Sequence, residues 1–291
     1  MIISIFGGSG FLGSQVADHL SILGHKVRIF DNVKSPWLRS DQEMIMGDTL
    51  DIRSVKEAVK GAEIVYNFAG ISDLNEAINE PIKTLKVNIL GNANILEACR
   101  ESNIKRYIFA STVYVNSREG SYYRISKQAS ESLVKEYQLN YGIDYTIFRY
   151  GSIYGSRSDK HNGLFKIISH AIDTGIIRYE GNSQSMREYI HVDDVARASL
   201  LAIGEDFQNE IIVLTGQQSL RVFDMLMMLQ EMMELDTEVE FIESEYKGHY
   251  VRTPYAFQLD IGRKYTPALH IDLGQGLIDL IKEIREGKSL K

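Results

Sequence analysis

The sequence has one cysteine, no apolar run of about eighteen residues or more, no excess of positive charge and no internal repeat. A single cysteine excludes an intrachain disulfide, and Cys99, inside the apolar-patterned stretch NILEACR, reads as a small core residue rather than a nucleophile. The shortage of long apolar runs argues against a spanning helix and a membrane partner. The chain enters the strand-like MIISIFGGSG with no basic segment ahead of it and no small-residue cleavage site behind it, so a soluble, unprocessed, cytoplasmic protein is expected. With 32 basic against 39 acidic side chains the formal charge is −7, so no global field would gather nucleic acid or an anionic membrane. Anionic ligands must be held locally.

What is present is an ordinary globular composition, 44% hydrophobic and 24% charged over 291 residues, enough for a large core. Short β-rich runs (MIISIFG, KVRIFD, AEIVYNFAG, KRYIFAST, DYTIFRYGSIYG) alternate with helical patterns, the first at about residues 12–23. That alternation predicts an α/β fold, a doubly wound parallel sheet of Rossmann type with a smaller C-terminal substrate-binding lobe. The first domain is expected over residues 1–150 plus about 190–215, and the second over 151–189 and 216–291. The methionines at 225, 227, 228, 232 and 233 are mixed with leucines on a predicted helix and read as core packing. A terminal helix is expected over LGQGLIDLIKEIREG.

The stretch GGSGFLG follows the first strand and opens the first helix, where a dinucleotide pyrophosphate needs close backbone approach and a helix N-terminus. It parses as G-x-G-x-x-G from Gly8 or as G-x-x-G-x-x-G from Gly7, and the glycines alone do not choose. The candidate pyrophosphate contacts are Gly7, Gly10, Phe11, Leu12 and Gly13. The second strand ends in Asp31, whose carboxylate can accept from both adenosine ribose hydroxyls; Asn32 and Val33 bring no cation for a 2′-phosphate, which favours NAD.

In EGSYYRISKQASESL, Tyr123 and Lys127 are four apart and lie about 40° from each other on a helix. Tyr122 lies about 140° from Lys127, on an apolar arc with Ala129 and Leu133, and is expected to pack. A phenol is a poor base at neutral pH, and lowering it by about three pH units takes about 4 kcal/mol of selective electrostatics, much of which a nearby ammonium can supply.

Taken in order, the glycine loop, Asp31, GDTLDI, NFAG, ASTVYV, YRISK, RYGSIYG and REYIHVDDVA make the chain resemble the extended short-chain dehydrogenase/reductase family, in its nucleotide-sugar epimerase/dehydratase branch. The resemblance covers residues 1–198 and continues more faintly to the C-terminus. It implies that Asp51 and Ile52 lie beside the adenine, and that Asn67, Phe68, Ala69 and Gly70 pass under the pyrophosphate and nicotinamide. It also implies that Thr112 binds the reacting sugar oxygen, Tyr123 is the general base and Lys127 tunes it and binds the nicotinamide ribose. Arg187 would clamp the substrate pyrophosphate, a task suited to a forked guanidinium. Homodimerisation through helices near 81–102 and 123–141 is likewise implied.

The chain departs from that branch in two places. Anchoring the alignment on Tyr114 would put Ala110 at the hydroxyl position, and Ser111 also neighbours it; Thr112 is the choice of register here. Thr112 and Tyr123 are only eleven residues apart. Dehydratases of the branch carry an Asp-Glu pair after the catalytic threonine, because losing water needs an added acid and base; Val113 and Tyr114 stand here instead. The segment KGHYVRTPYAF offers Lys247, His249, Arg252 and Tyr255, with Arg252 as a second phosphate contact. An aspartate of HVDD is read as a helix N-cap, and no metal is assigned. The expected function is an NAD-dependent nucleotide-sugar 4-epimerase acting through a transient 4-keto sugar. A net 4-dehydrogenase or ketoreductase is the alternative, and an NAD-responsive binding protein without turnover belongs to a different class.

Overall fold

The computed structural model describes residues 1–242 and 249–254. Lys247, Tyr255 and the expected terminal helix lie outside the described residues. In chain order the first half comprises β1 (Ile2–Phe6), α1 (Phe11–Ile22), β2 (Lys26–Asp31), β3 (Gln42–Met46), α2 (Ile52–Val59), β4 (Ile64–Asn67) and α3 (Leu74–Asn79). There follow α4 (Pro81–Leu85), a π-helical turn (Lys86–Leu90), α5 (Gly91–Glu101), β5 (Arg106–Thr112), a 3₁₀ turn (Val113–Asn116), α6 (Ser121–Tyr141) and β6 (Asp144–Tyr150). The remainder is β7 (Ser152–Tyr154), α7 (Gly163–Thr174), β8 (Arg178–Glu180), β9 (Met186–His191), α8 (Val192–Leu200), β10 (Glu210–Leu214), β11 (Ser219–Arg221), α9 (Val222–Met232) and β12 (Glu240–Ile242).

Seven of these strands form one parallel sheet in the order β3-β2-β1-β4-β5-β6-β10. Its strands are nearly continuous apolar runs because helices cover both faces. Side chains alternate between two cores: Phe6, Tyr107 and Phe109 enter one with Val55, Ile95 and Leu96, whereas Ile3, Ile5 and Ile108 enter the other with Val16, Leu20 and Val195. The sequence reading had no strand at β3; its QEMIM is half exposed at the sheet edge and carries a weak signal. The connections after β6 leave this sheet and build two small ones, β11-β9-β7 and β12-β8, over a third core of Ala171, Ile177, Val222, Met225 and Leu226.

Two local readings are corrected. Met225 enters that third core, but Met228 and Met232 are exposed, so the methionine cluster is only partly core. The cap of α8 is His191, whose ring accepts from the Asp193 amide, rather than an aspartate; Asp193 and Asp194 fall in the first turn. Among the described residues no helix is long and apolar enough to cross a membrane.

Candidate active site

A cleft of about 650 Å³ opens along the C-terminal edge of the large sheet, where strand order reverses between β1 and β4. One wall is the loop between β1 and α1. Gly7 sits at φ 75°, and a Cβ there would come 2.6 Å from the Ala69 amide nitrogen. A Cβ on Gly13 would meet the Gly7 carbonyl oxygen at 2.2 Å. Gly8 instead faces Ile29, so the spacing that shapes the cleft is Gly7, Gly10 and Gly13. Gly10 caps α1 with no side-chain bond, which leaves the first-turn amides of Phe11 and Leu12 pointing to where an anion would sit.

Phe68 and Gly70 line the same cleft, while Ala69 between them presses its backbone against Gly7. Asp31, Asn32, Asp51 and Ile52 do not line it; they lie at the end of β2 and the start of α2. The Asp31 carboxylate accepts from the amides of Ser9, at 3.0 Å, and Val33, at 3.2 Å, and so ties the glycine loop to the strand that carries it. Asp51 is engaged as the cap of α2, accepting from the Arg53 amide.

The opposite wall is the end of β5 facing one stripe of α6. Thr112 is buried; its hydroxyl accepts from the Tyr114 amide at 3.3 Å and lies near enough to the Tyr123 phenol to lower it against the effect of burial. Lys127 is buried; its Nζ donates to the Ala110 carbonyl at 2.8 Å and lies 4.8 Å over the Phe109 ring and 5.9 Å from the Tyr123 ring centre. Ser111 turns away, donating to Glu131 at 2.5 Å, and Ala110 contributes only its carbonyl to Lys127, so Thr112 is the hydroxyl beside the phenol. Burial dominates both titrating groups, pushing the Tyr123 phenol up to about 12 and the Lys127 ammonium down to about 8. In the bare protein, therefore, desolvation outweighs the help the phenol receives from its neighbours.

Tyr122, expected to pack, is 38% exposed. Beside it the inward side of α6 buries the polar Ser126, Lys127, Ser130 and Glu131, and only further along do Val134 and Leu133 join the core, so Tyr122 and Ile125 face outward.

Arg187 on β9 lines the cleft, is buried, and stacks on the Tyr250 ring at 4.5 Å; it has no carboxylate within ion-pair distance among the described residues. Arg252 is exposed and does not line the cleft. The Met186 amide donates to the Val251 carbonyl, fixing this segment beside β9, and Tyr250 rather than Arg252 is buried against Arg187. His249 lines the cleft too, 2.6 Å from the Tyr114 hydroxyl, and desolvation followed by the Arg187 charge pushes its imidazole down to about 4. Tyr114 also meets the Tyr123 ring edge-on at 6.2 Å.

The sequence reading missed Asn88. It sits in the π-helical turn, where its side chain donates to the Ile71 carbonyl and the Ser126 hydroxyl and accepts from the Ile71 amide. This ties the 70–71 loop to α6, and a Cβ on Gly70 would meet the Asn88 Oδ1 at 2.8 Å. A polar residue inside an apolar helical pattern, at a turn type frequent in functional sites, was the available signal.

The sequence profile of the NAD dependent epimerase/dehydratase family matches residues 3–215. A Methanocaldococcus jannaschii protein provisionally named UDP-glucose 4-epimerase is 30% identical over 242 residues, covering 75% of this chain and 78% of that one. A UDP-N-acetyl-alpha-D-glucosaminuronate decarboxylase of Bacillus cytotoxicus is 30% identical over 235 residues, covering 72% and 73%. The crystal structure of the Thermotoga maritima UDP-glucose 4-epimerase with UDP-glucose superposes with a TM-score of 0.80 at 26% identity, over 88% of this chain and 90% of that one.

Proposed function

The chain belongs to the NAD dependent epimerase/dehydratase family and is an NAD-dependent enzyme of the extended short-chain dehydrogenase/reductase type, and from that premise we propose that it is a nucleotide-sugar 4-epimerase working through a transient 4-keto sugar. The observation that carries this reading is the grouping of Thr112, Tyr123 and Lys127 in one cleft with the glycine loop and Arg187.

The residues fit the cofactor. The loop whose glycines leave no room for Cβ atoms, together with the uncapped start of α1, suits a pyrophosphate. Asp31 would take the adenosine ribose, and Lys127 with Phe68 and Gly70 the nicotinamide side. When bound, NAD supplies a hydride acceptor that returns the hydride, and a positive ring near the phenol. Tyr123 Oη takes the proton of the sugar C4 hydroxyl and later gives it back. Thr112 holds that oxygen by its hydroxyl, and Lys127 favours the phenolate by its charge. Arg187 anchors the diphosphate, leaving the sugar free to present either face.

Val113, which is buried, and Tyr114 follow Thr112 where a dehydratase needs its acid and base, which argues against loss of water. In this reading residues 1–150 with about 190–215 bind NAD, and 151–189 with 216–291 bind the nucleotide sugar. A net 4-dehydrogenase or ketoreductase shares the first step. The packing of Tyr114 on Tyr250 and His249, which narrows the sugar side, is what favours it. Purified protein incubated with UDP-, GDP- and dTDP-sugars and followed by NMR distinguishes the two: the C4 stereoisomer without accumulated NADH is expected. A keto product with stoichiometric NADH and no stereoisomer would overturn the epimerase reading.

A homodimer completes the proposal. Ile82, Leu90, Ile125 and Leu139 are exposed on α4, the π-helical turn and α6, which pack side by side. Light scattering is expected to give twice the chain mass, and Ile125→Glu with Leu139→Glu to give monomers. A wild-type monomer would contradict it.

A further inference from the structure

Three residues of α6 spaced four apart, Tyr123, Lys127 and Glu131, meet three successive residues of β5. Tyr123 faces the Thr112 hydroxyl, Lys127 Nζ donates to the Ala110 carbonyl and Glu131 accepts from the Ser111 hydroxyl. Glu131 is 4% exposed, an unusual place for a carboxylate unless it is paired. Arg149 of β6 grips it with both arms, Nε at 3.0 Å and Nη2 at 2.7 Å, and its Nη1 reaches the Asn116 side chain at 3.1 Å. The fork fixes the Glu131 carboxylate in direction. Glu131, Arg149 and Asn116 do not line the cleft, and yet they brace both the helix and the strand that carry the reacting set.

We propose that Glu131 is a positioning residue: held by Arg149, it supplies the buried counter-charge that keeps Lys127 cationic and pins the Ser111–Thr112 strand end against the phenol. The inference rests on the role given to Lys127 above. Lys127 faces Tyr123 and Glu131 on its own helix, and the Phe109 ring and Ala110 carbonyl on β5. Arg149 and Tyr145 lie on β6, and Tyr145 also feels the Glu131 charge. Among the described residues Glu131 is the charged group that acts on Lys127 against burial. A structural ion pair would hold the strand end; only a counter-charge would also move the lysine.

The test reads the Lys127 proton directly in protein without added ligand, by ¹³Cε lysine NMR titration, with the resonance assigned by its loss in Lys127→Met. Glu131→Gln keeps the shape and removes the charge, and the lysine midpoint is expected to fall by about one pH unit, while Glu131→Asp stays near wild type. The alkaline limb of turnover should move down by the same amount in Glu131→Gln. If that variant does not fold, Glu131→Gln with Arg149→Gln, which leaves no orphaned cation, is titrated instead, and a smaller fall in the same direction is expected because the Arg149 charge goes as well. An unchanged lysine midpoint in the folded variant overturns the proposal. A wild type that titrates as described but turns over no nucleotide sugar would instead overturn the functional reading.

Discussion

Tyr123→Phe is expected to lower turnover by about 10³- to 10⁴-fold while the protein stays folded and still retains NAD. The variant removes one oxygen, and the ring keeps its edge-on contact with Tyr114. The size of the effect follows from the phenol's position. Pushed up to about 12 by burial, it needs about 7 kcal/mol of preferential stabilisation of its phenolate to act near neutral pH. A site that provides this stabilisation loses it all when the oxygen is removed. Steady-state rates with the best nucleotide sugar, beside a melting curve, decide the point. A rate within tenfold of wild type would remove Tyr123 as the base, and an NAD-dependent binding output unaffected by the change would favour a sensor.

Lys127→Met is expected to cost about 10²- to 10³-fold in turnover and yet to raise stability at neutral pH. Lys127 falls from 10.5 to about 8 on folding, so the folded protein holds this proton less tightly than the unfolded chain. Below about 8 the buried ammonium therefore costs the fold about 3 kcal/mol, and stability recovers as pH rises from about 8 towards 10.5, where the unfolded chain still binds the proton. Methionine removes that cost but gives up the bond to the Ala110 carbonyl, worth about 1 kcal/mol. The net gain of about 2 kcal/mol at pH 7 should fade by about pH 10. Denaturant unfolding of both proteins at pH 7 and pH 10 checks this. A variant less stable than wild type at both pH values would show that the lysine is held without strain.

Much of this was legible because parallel strands covered on both faces must be apolar throughout, and because close approach to a phosphate leaves glycine no substitute. The helical spacing of Tyr123 and Lys127 needed only the period of a helix. What was hidden depended on which way a face turned. The apolar arc of Tyr122, Ala129 and Leu133 reads as core, yet Tyr122 itself is exposed, because the inward stripe beside it buries serines, a lysine and a glutamate. In HYVR, inward and outward positions are set by pairing beside β9, which local sequence does not show, so Arg252 was expected where Tyr250 stands. Asn88 owes its role to a π-helical turn and to the 70–71 loop it grips across seventeen positions of sequence. Glu131 was invisible for the same reason, since its partners come from β5 and β6.

The most direct test of the account uses a nucleotide sugar carrying deuterium at C4, chosen as the best substrate from the panel. If Tyr123 removes the C4 hydroxyl proton and the hydride is returned to the same carbon, the C4 epimer forms with its deuterium retained and no net reduced cofactor. Deuterium found in reduced cofactor beside a released keto sugar, or an epimer that has lost its label to solvent, would contradict it.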